Sequence, residues 1–432
     1  MLTNVRYMRH SDDKHIAREI AMRFRVLICA IASLLLAGAA QAQANGPVGI
    51  GGGVQYELIA RWDVERLNRI LQVDTPAFAD VAVTYSPARN AVQLYRVTYP
   101  SVVPERGNRP ITATGLVAVP EDVGASLPLV SYQHGTVYGK EEVPSFPENS
   151  QETQLMIAQF AGQGYALIGA DYFGMGQPGL GQPGLGDSAE PDGYAVKASH
   201  QQATHDMLVA SRQVLGHLGV STTDLFLTGW SQGGFVTMAM TEKLENVGVG
   251  IKAVATASAP VDFFALLNGF LNFPRPNDAS WVGVLFVFSP FSFENYYGVP
   301  GLARSVLNDD VYETAKSLYE RKSADVSGIP SDLRKLVRSD YFDPQFFANS
   351  AYGRLVAATQ AYRWVIRTPV RNYYGEADEV IATPLGQLGE TYQRAIGNDR
   401  VEAISTGNTT HRGTFALAVP QWKTWFDSLS GR

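Results

Sequence analysis

Beyond its first fifty residues the chain alternates short apolar, strand-like runs with longer stretches of helical spacing, and this rhythm constrains the fold most. Residues 127–133 (LPLVSYQ), 165–170, 225–228, 253–257, 370–374 and 401–405 read as strands. Residues 152–161, 196–218, 233–244, 385–396 and 414–429 read as helices. Strands that are apolar throughout, without polar alternation, belong in a mostly parallel sheet with helices on both faces. The expected fold class is therefore α/β, with sites at the carboxyl ends of the strands. Upstream, 91–99 and 111–120 are β-rich, and 60–73 has helical spacing through Trp62, Leu67, Ile70 and Leu71. The Gly-rich stretch 45–53 is expected to be a flexible lead.

The rhythm breaks between residues 261 and 365. Eighteen of the 46 aromatic residues fall between Phe263 and Tyr352. Such an insertion is either a cap packed on itself or an apolar wall over a binding cleft. The expected organisation is an α/β domain from 45–260 and 366–432, interrupted by an aromatic-rich cap or lid at 261–365. A pentapeptide, GQPGL, occurs at 176–180 and again at 181–185. Two copies do not make a repeat architecture, and the Gly and Pro content reads as a turn-forming loop insertion near the active face.

The amino terminus reads as an address. Residues 26–37 (VLICAIASLLLA) form an apolar run preceded by Arg23 and Arg25 and followed by Ala40-Gln41-Ala42 and Ala42-Gln43-Ala44. That order matches a secretory signal peptide over 1–44, with Met22 as the start suggested by the length of the polar segment before it. The run is too short for a transmembrane anchor, so the expected destination is secreted or periplasmic. Removing the leader takes the net charge from −6 to −9 and removes Cys29, the only cysteine. A disulfide framework and a Cys-rich metal site are thereby excluded. The acidic balance argues against nucleic acid, which needs a basic face to displace counterions. An apolar content of 45% excludes a disordered chain.

One constellation carries chemistry. Gly229-Trp230-Ser231-Gln232-Gly233 lies between a predicted strand and a predicted helix. In that context G-x-S-x-G describes a sharp turn that lifts Ser231 above the sheet, with Gly229 and Gly233 permitting close backbone approach. A structural Gly-Ser turn is the plainer alternative. A serine hydroxyl needs a base, and the base needs an orienting acid. Of seven histidines, His10 and His15 precede the apolar run of the leader, while His200, His205 and His217 share a helix. His134 is read as bracing its loop. Only His411 follows Ser231, in the expected loop before the last helix, so it is the candidate base. Asp378, after the strand 370–374, is the candidate acid. Glu376 and Glu379 compete with it, and Asp262 is an alternative read more simply as a cap or ion-pair residue. Two backbone N–H groups are expected to hold an oxyanion: that of Gln232 and that of Thr136, in the His134-Gly135-Thr136 loop. No metal and no cofactor is required.

With TGLVAVP at 114–120, ADYFGMG at 170–176 and GEADEV at 375–380, these motifs resemble the α/β-hydrolase superfamily over about residues 110–430. Within it the likeness is to secreted bacterial lipase and esterase proteins with a helical cap. The resemblance implies an α/β-hydrolase fold and hydrolysis of carboxylic esters, small or polymeric, through an acyl-enzyme. It departs from the family in the duplicated pentapeptide and in lacking the disulfides of many secreted lipases. A serine peptidase or amidase would use the same residues, and a non-catalytic binding protein on the same fold is the alternative from another class.

Overall fold

A computed structural model describes residues 46–79, 81–176 and 190–432. The leader expected at 1–44 and most of the duplicated pentapeptide lie outside these residues. The strands are β1 (Val48–Gly51), β2 (Val54–Trp62), β3 (Val92–Val103), β4 (Arg109–Pro120), β5 (Ser126–Gln133), β6 (Ala166–Ala170), β7 (Ser221–Trp230), β8 (Ala253–Ala257), β9 (Val370–Tyr374) and β10 (Val401–Ser405). They form one sheet in the order β1-β2-β3-β4-β6-β5-β7-β8-β9-β10. Strands β1 to β4 pair antiparallel, as does β4 with β6, and the remaining pairs are parallel. The expected mostly parallel sheet therefore carries an antiparallel wing.

Successive residues along a strand point to opposite faces. Leu116, Leu167, Phe226 and Ala253 join one apolar cluster, while their neighbours Val117, Ile168, Leu227 and Val254 join the other. Helices Gln151–Gln159 and His411–Ser430 close the first cluster with Leu155, Met156, Phe415 and Trp422. Helices Lys197–His217 and Gln232–Asn246 close the second with Met207, Val214, Phe235 and Val236. Both faces are covered, which is why the central strands read as apolar throughout.

The antiparallel wing corrects two expectations. The Gly-rich lead contains β1, which pairs with β2 rather than hanging free. The predicted helix 60–73 begins as strand, because Ala60, Arg61 and Trp62 pair with Leu94, Gln93 and Val92 of β3. Helix starts only at Val64, where Asp63 accepts a hydrogen bond from the Arg66 amide at 2.8 Å. Pairing across the sheet overrides local spacing there.

Between β8 and β9 the chain forms helices Phe263–Asn272, Gly283–Tyr297, Leu302–Val306, Tyr312–Tyr319, Leu333–Leu336, Pro344–Asn349 and Ala351–Ala358. Twelve of the eighteen aromatics of this segment are buried, among them Phe286, Phe288, Phe293 and Tyr352. They belong to the same apolar cluster as Val117 and Leu227 of the sheet. Most of these rings are therefore core, and few are available to wall a cleft.

Candidate active site

Sheet register brings the site together before any side chain is considered. Trp230 of β7 stands level with Ala257 of β8, Ala257 with Tyr373 of β9, and Tyr374 with Ser405 of β10. The loops that follow emerge along one edge, carrying Ser231, Ser258, Asp378 and His411.

Ser231 links β7 to helix Gln232–Asn246 with φ 56° and ψ −126°, a conformation that non-glycine residues avoid. Its amide donates to Ala257 O at 3.0 Å, and its carbonyl accepts from Gly234 and Phe235 at 2.9 and 3.2 Å. The flanking glycines are required by space. A Cβ on Gly229 would lie 2.4 Å from Gly233 O, and one on Gly233 would lie 2.0 Å from Gln133 O.

The Ser231 hydroxyl lies 2.9 Å from His411 Nε2, and His411 Nδ1 lies 3.0 Å from each carboxylate oxygen of Asp378. All three residues are buried. His411 is the first residue of the last helix rather than a loop residue, because Thr410 caps that helix by accepting from the Gly413 amide. The ring is also gripped from its backbone: Trp230 Nε1 donates to His411 O at 3.1 Å, and the His411 amide donates to Glu379 at 2.9 Å.

Asp378 accepts from the Val380 and Ile381 amides at 2.8 Å each and from the Ser258 hydroxyl at 2.7 Å. Burial alone would push its carboxyl up. The charge and hydrogen bond of His411, with those donors, outweigh burial and hold it below the usual carboxylate range. Of its competitors, Glu376 accepts from Ser405 and Glu379 reaches only the His411 backbone. Asp262 caps helix Phe263–Asn272 through the Ala265 amide at 2.9 Å and accepts from Tyr362.

The loop after β5 lies against the same edge. The Gln232 amide opens its helix and has no preceding turn to bond. Thr136 is held by its hydroxyl, 3.0 Å from that of Tyr194, and its amide meets no acceptor among the described residues. The Gly135 amide is taken up by Glu152, 3.1 Å from each carboxylate oxygen. Both ring nitrogens of His134 face backbone carbonyls, Gly135 O at 2.8 Å and Asp171 O at 3.2 Å, and burial lowers its pKa to about 4. That geometry fits the bracing role expected of it. His200, on helix Lys197–His217, is buried beside Tyr172, and burial lowers its pKa to about 3.

Of the aromatic insertion, Trp281 stands beside the site, its ring 6.5 Å from that of His411. Two residues of this surround were not singled out from sequence. Ser258 follows β8 in an unremarkable ASAP stretch, and Glu152 looks like an ordinary acid in a first helical turn. Nothing local marks either one.

Chemically, a hydroxyl bonded to an imidazole that is bonded to a carboxylate can transfer a proton away from oxygen as that oxygen attacks an electrophile. No protein-family model matches the chain, and no curated protein matches it. Solved structures do. A Legionella pneumophila protein classed provisionally as a hydrolase superposes with a TM-score of 0.74 at 20% identity, covering 89% of this chain and 98% of that one. The rice cell wall degrading esterase LipA from Xanthomonas oryzae superposes at 0.71 with 18% identity, covering 86% and 96%. Candida antarctica lipase A superposes at 0.57 with 16% identity, covering 84% and 78%. The chain has the α/β-hydrolase fold, and the expected resemblance to lipase and esterase structures holds at the level of that fold.

Proposed function

We propose that the protein is an exported serine esterase or lipase that hydrolyses carboxylic esters through an acyl-enzyme on Ser231. The observation that carries this reading is the unbroken hydrogen-bond chain from Ser231 through His411 to Asp378. Ser231 Oγ attacks the ester carbonyl carbon while His411 Nε2 takes its proton. Asp378 orients the ring and stabilises the imidazolium. The carbonyl oxygen becomes an oxyanion held by the Gln232 and Thr136 amides. Collapse of this intermediate breaks the ester bond, and His411 gives its proton to the departing alcohol. Water then attacks the acyl-enzyme, leaving its proton on His411. Breakdown of that second intermediate releases the acid and returns the proton to Ser231.

Similarity to a cell wall degrading esterase and to a lipase supports an ester substrate, small or polymeric. The leader at 1–44 supports export to the periplasm or beyond, and the insertion at 261–365 is assigned as a cap over the site. Among the described residues no helix is long and apolar enough to cross a membrane.

The test is S231A on p-nitrophenyl esters alongside aminoacyl-anilides. Wild type is expected to cleave the esters, to leave the anilides and to take a fluorophosphonate label. S231A is expected to lose labelling and about 10⁴-fold or more in kcat. Wild-type turnover in S231A overturns the mechanism, and preferential anilide cleavage moves the substrate to the peptidase class.

A further inference from the structure

Behind the loop that follows β5 lies a buried acid that the chemistry above does not use. Glu152 stands in the first turn of helix Gln151–Gln159, which Ser150 caps through the Thr153 amide. An acid there ordinarily faces solvent and complements the helix dipole. Glu152 instead turns inward, only 7% exposed, and both of its oxygens lie 3.1 Å from the Gly135 amide nitrogen. A Cβ on Gly135 would stand 3.1 Å from Glu152 Oε2 and 3.4 Å from the ring of Trp230, so acid, loop and indole are in close contact.

Its polar surroundings are sparse. Tyr132 of β5 acts on Glu152, yet its hydroxyl is buried without a hydrogen-bond partner among the described residues. Tyr172, after β6, senses the same charge. Burial pushes both phenols far above their ordinary range. The helices Val64–Arg69, Thr75–Ala79 and His411–Ser430 and the turns Ile70–Asp74, Pro147–Asn149 and Ala161–Gln163 pack against the acid's helix, with Ile70, Leu71 and Phe415 in its apolar cluster. Of the charged groups on those elements, Arg66 pairs with Glu148, Arg69 with Asp74 and Lys423 with Asp427, Arg412 lies over the Phe78 ring, and Glu65 is exposed. His411 is committed to Ser231 and Asp378. His134, in the loop itself, is neutral above its lowered pKa of about 4. Among the described residues no ion pair reaches Glu152, and an uncompensated buried charge is costly.

Resting on the reading of Ser231 as nucleophile, we propose that Glu152 is a positioning residue for the oxyanion loop, and that its protonation state gates the rate. As a neutral carboxyl it accepts from the Gly135 amide, fixing the peptide that carries Gly135 and leaving the next amide, Thr136 N–H, for the oxyanion. As a carboxylate it sets a negative charge behind the place where the oxyanion develops, opposing the transition state. Burial raises the Glu152 pKa to about 8, which sets the window for the change.

The experiment measures kcat and KM on a neutral ester from pH 6 to 10 for wild type, E152Q and E152L, with Ser231 counted by fluorophosphonate titration. Wild-type kcat is expected to fall by about fivefold or more above pH 8, with KM steady. E152Q keeps an acceptor for Gly135 and cannot ionise, so its profile is expected to stay level there. E152L lacks the acceptor, and its kcat at pH 7 is expected to drop by about 10- to 100-fold with KM within about twofold. An alkaline fall shared by wild type and E152Q, or absent from wild type, overturns the proposal. The E152Q comparison decides even where E152L does not fold. Wild-type enzyme that takes no fluorophosphonate fails for a different reason, the assignment of Ser231, and overturns both together.

Discussion

Ser231 is a strained residue, and its backbone geometry persists only because its surroundings over-determine it. A non-glycine residue at φ 56° and ψ −126° costs about 1–3 kcal/mol. Three backbone hydrogen bonds and the close packing of Gly229 and Gly233 offset that cost. G233A places a methyl group where Gln133 O stands, so it is expected to lower unfolding free energy by about 3 kcal/mol in urea titration, together with activity. Retention of both refutes the steric account. Asp378 shows a second residue-scale effect, because its role depends on its donors. D378N keeps the shape but no longer selects the tautomer of His411, and kcat is expected to fall by about 10³–10⁴-fold. S258A removes one donor to a charged oxygen, worth about 1.5–3 kcal/mol, and is expected to lower kcat by about tenfold with KM unchanged. An unchanged kcat in S258A means that the two amides alone hold the carboxylate.

Elements differ in how openly the sequence declares them. Strands β8, β9 and β10 have the same ends in the structure as in the sequence reading, because buried apolar runs bounded by turns leave little freedom. At the end of β2, Trp62 also fits the helical spacing of Leu67, Ile70 and Leu71, and only the pairing with β3 decides the matter. The motif residues Ser231 and His411 are legible because their chain order and turn chemistry are local. Glu152 and Ser258 are not, since their part depends on which loop the fold brings against them. Arg321, in the insertion, is likewise invisible from sequence. It donates to Val137 O at 2.7 Å and Tyr138 O at 3.1 Å, pairs with buried Asp192, and lies 4.1 Å from the centre of the Phe288 ring. Burial drives the Asp192 carboxyl up even with Arg321 beside it, so R321M strips a buried acid of its ion-pair partner and leaves only the weaker pull of Lys140 and the Tyr194 amide. The expected loss is about 3–5 kcal/mol of stability, and D192N in the same chain is expected to restore part of it. A loss below about 1 kcal/mol in urea titration contradicts this coupling between the insertion and the loop after β5.

At the scale of the molecule, residues 47–432 form one compact unit, and the insertion shares its apolar cluster with one face of the sheet. Insertion and sheet are therefore expected to melt together, in one calorimetric transition; two resolved transitions contradict a common core. A single transition lets its pH dependence be read through two buried carboxyls of opposite sign. Asp378 has a folded pKa below its unfolded value, so the stability it contributes is present above that unfolded value and is lost as pH falls through the folded one. Glu152 is the reverse. Its folded pKa of about 8 exceeds the unfolded value of about 4.3, so the unfolded chain gives up the proton first and stability declines as pH rises between them. E152Q has no such proton to lose. Its Tm is expected to gain on that of wild type as pH is raised from 5 to 9, with the two nearest each other at pH 5. A Tm difference that stays constant across that range means that Glu152 is ionised in the fold throughout, and its contact with Gly135 is then an ordinary charge-assisted hydrogen bond.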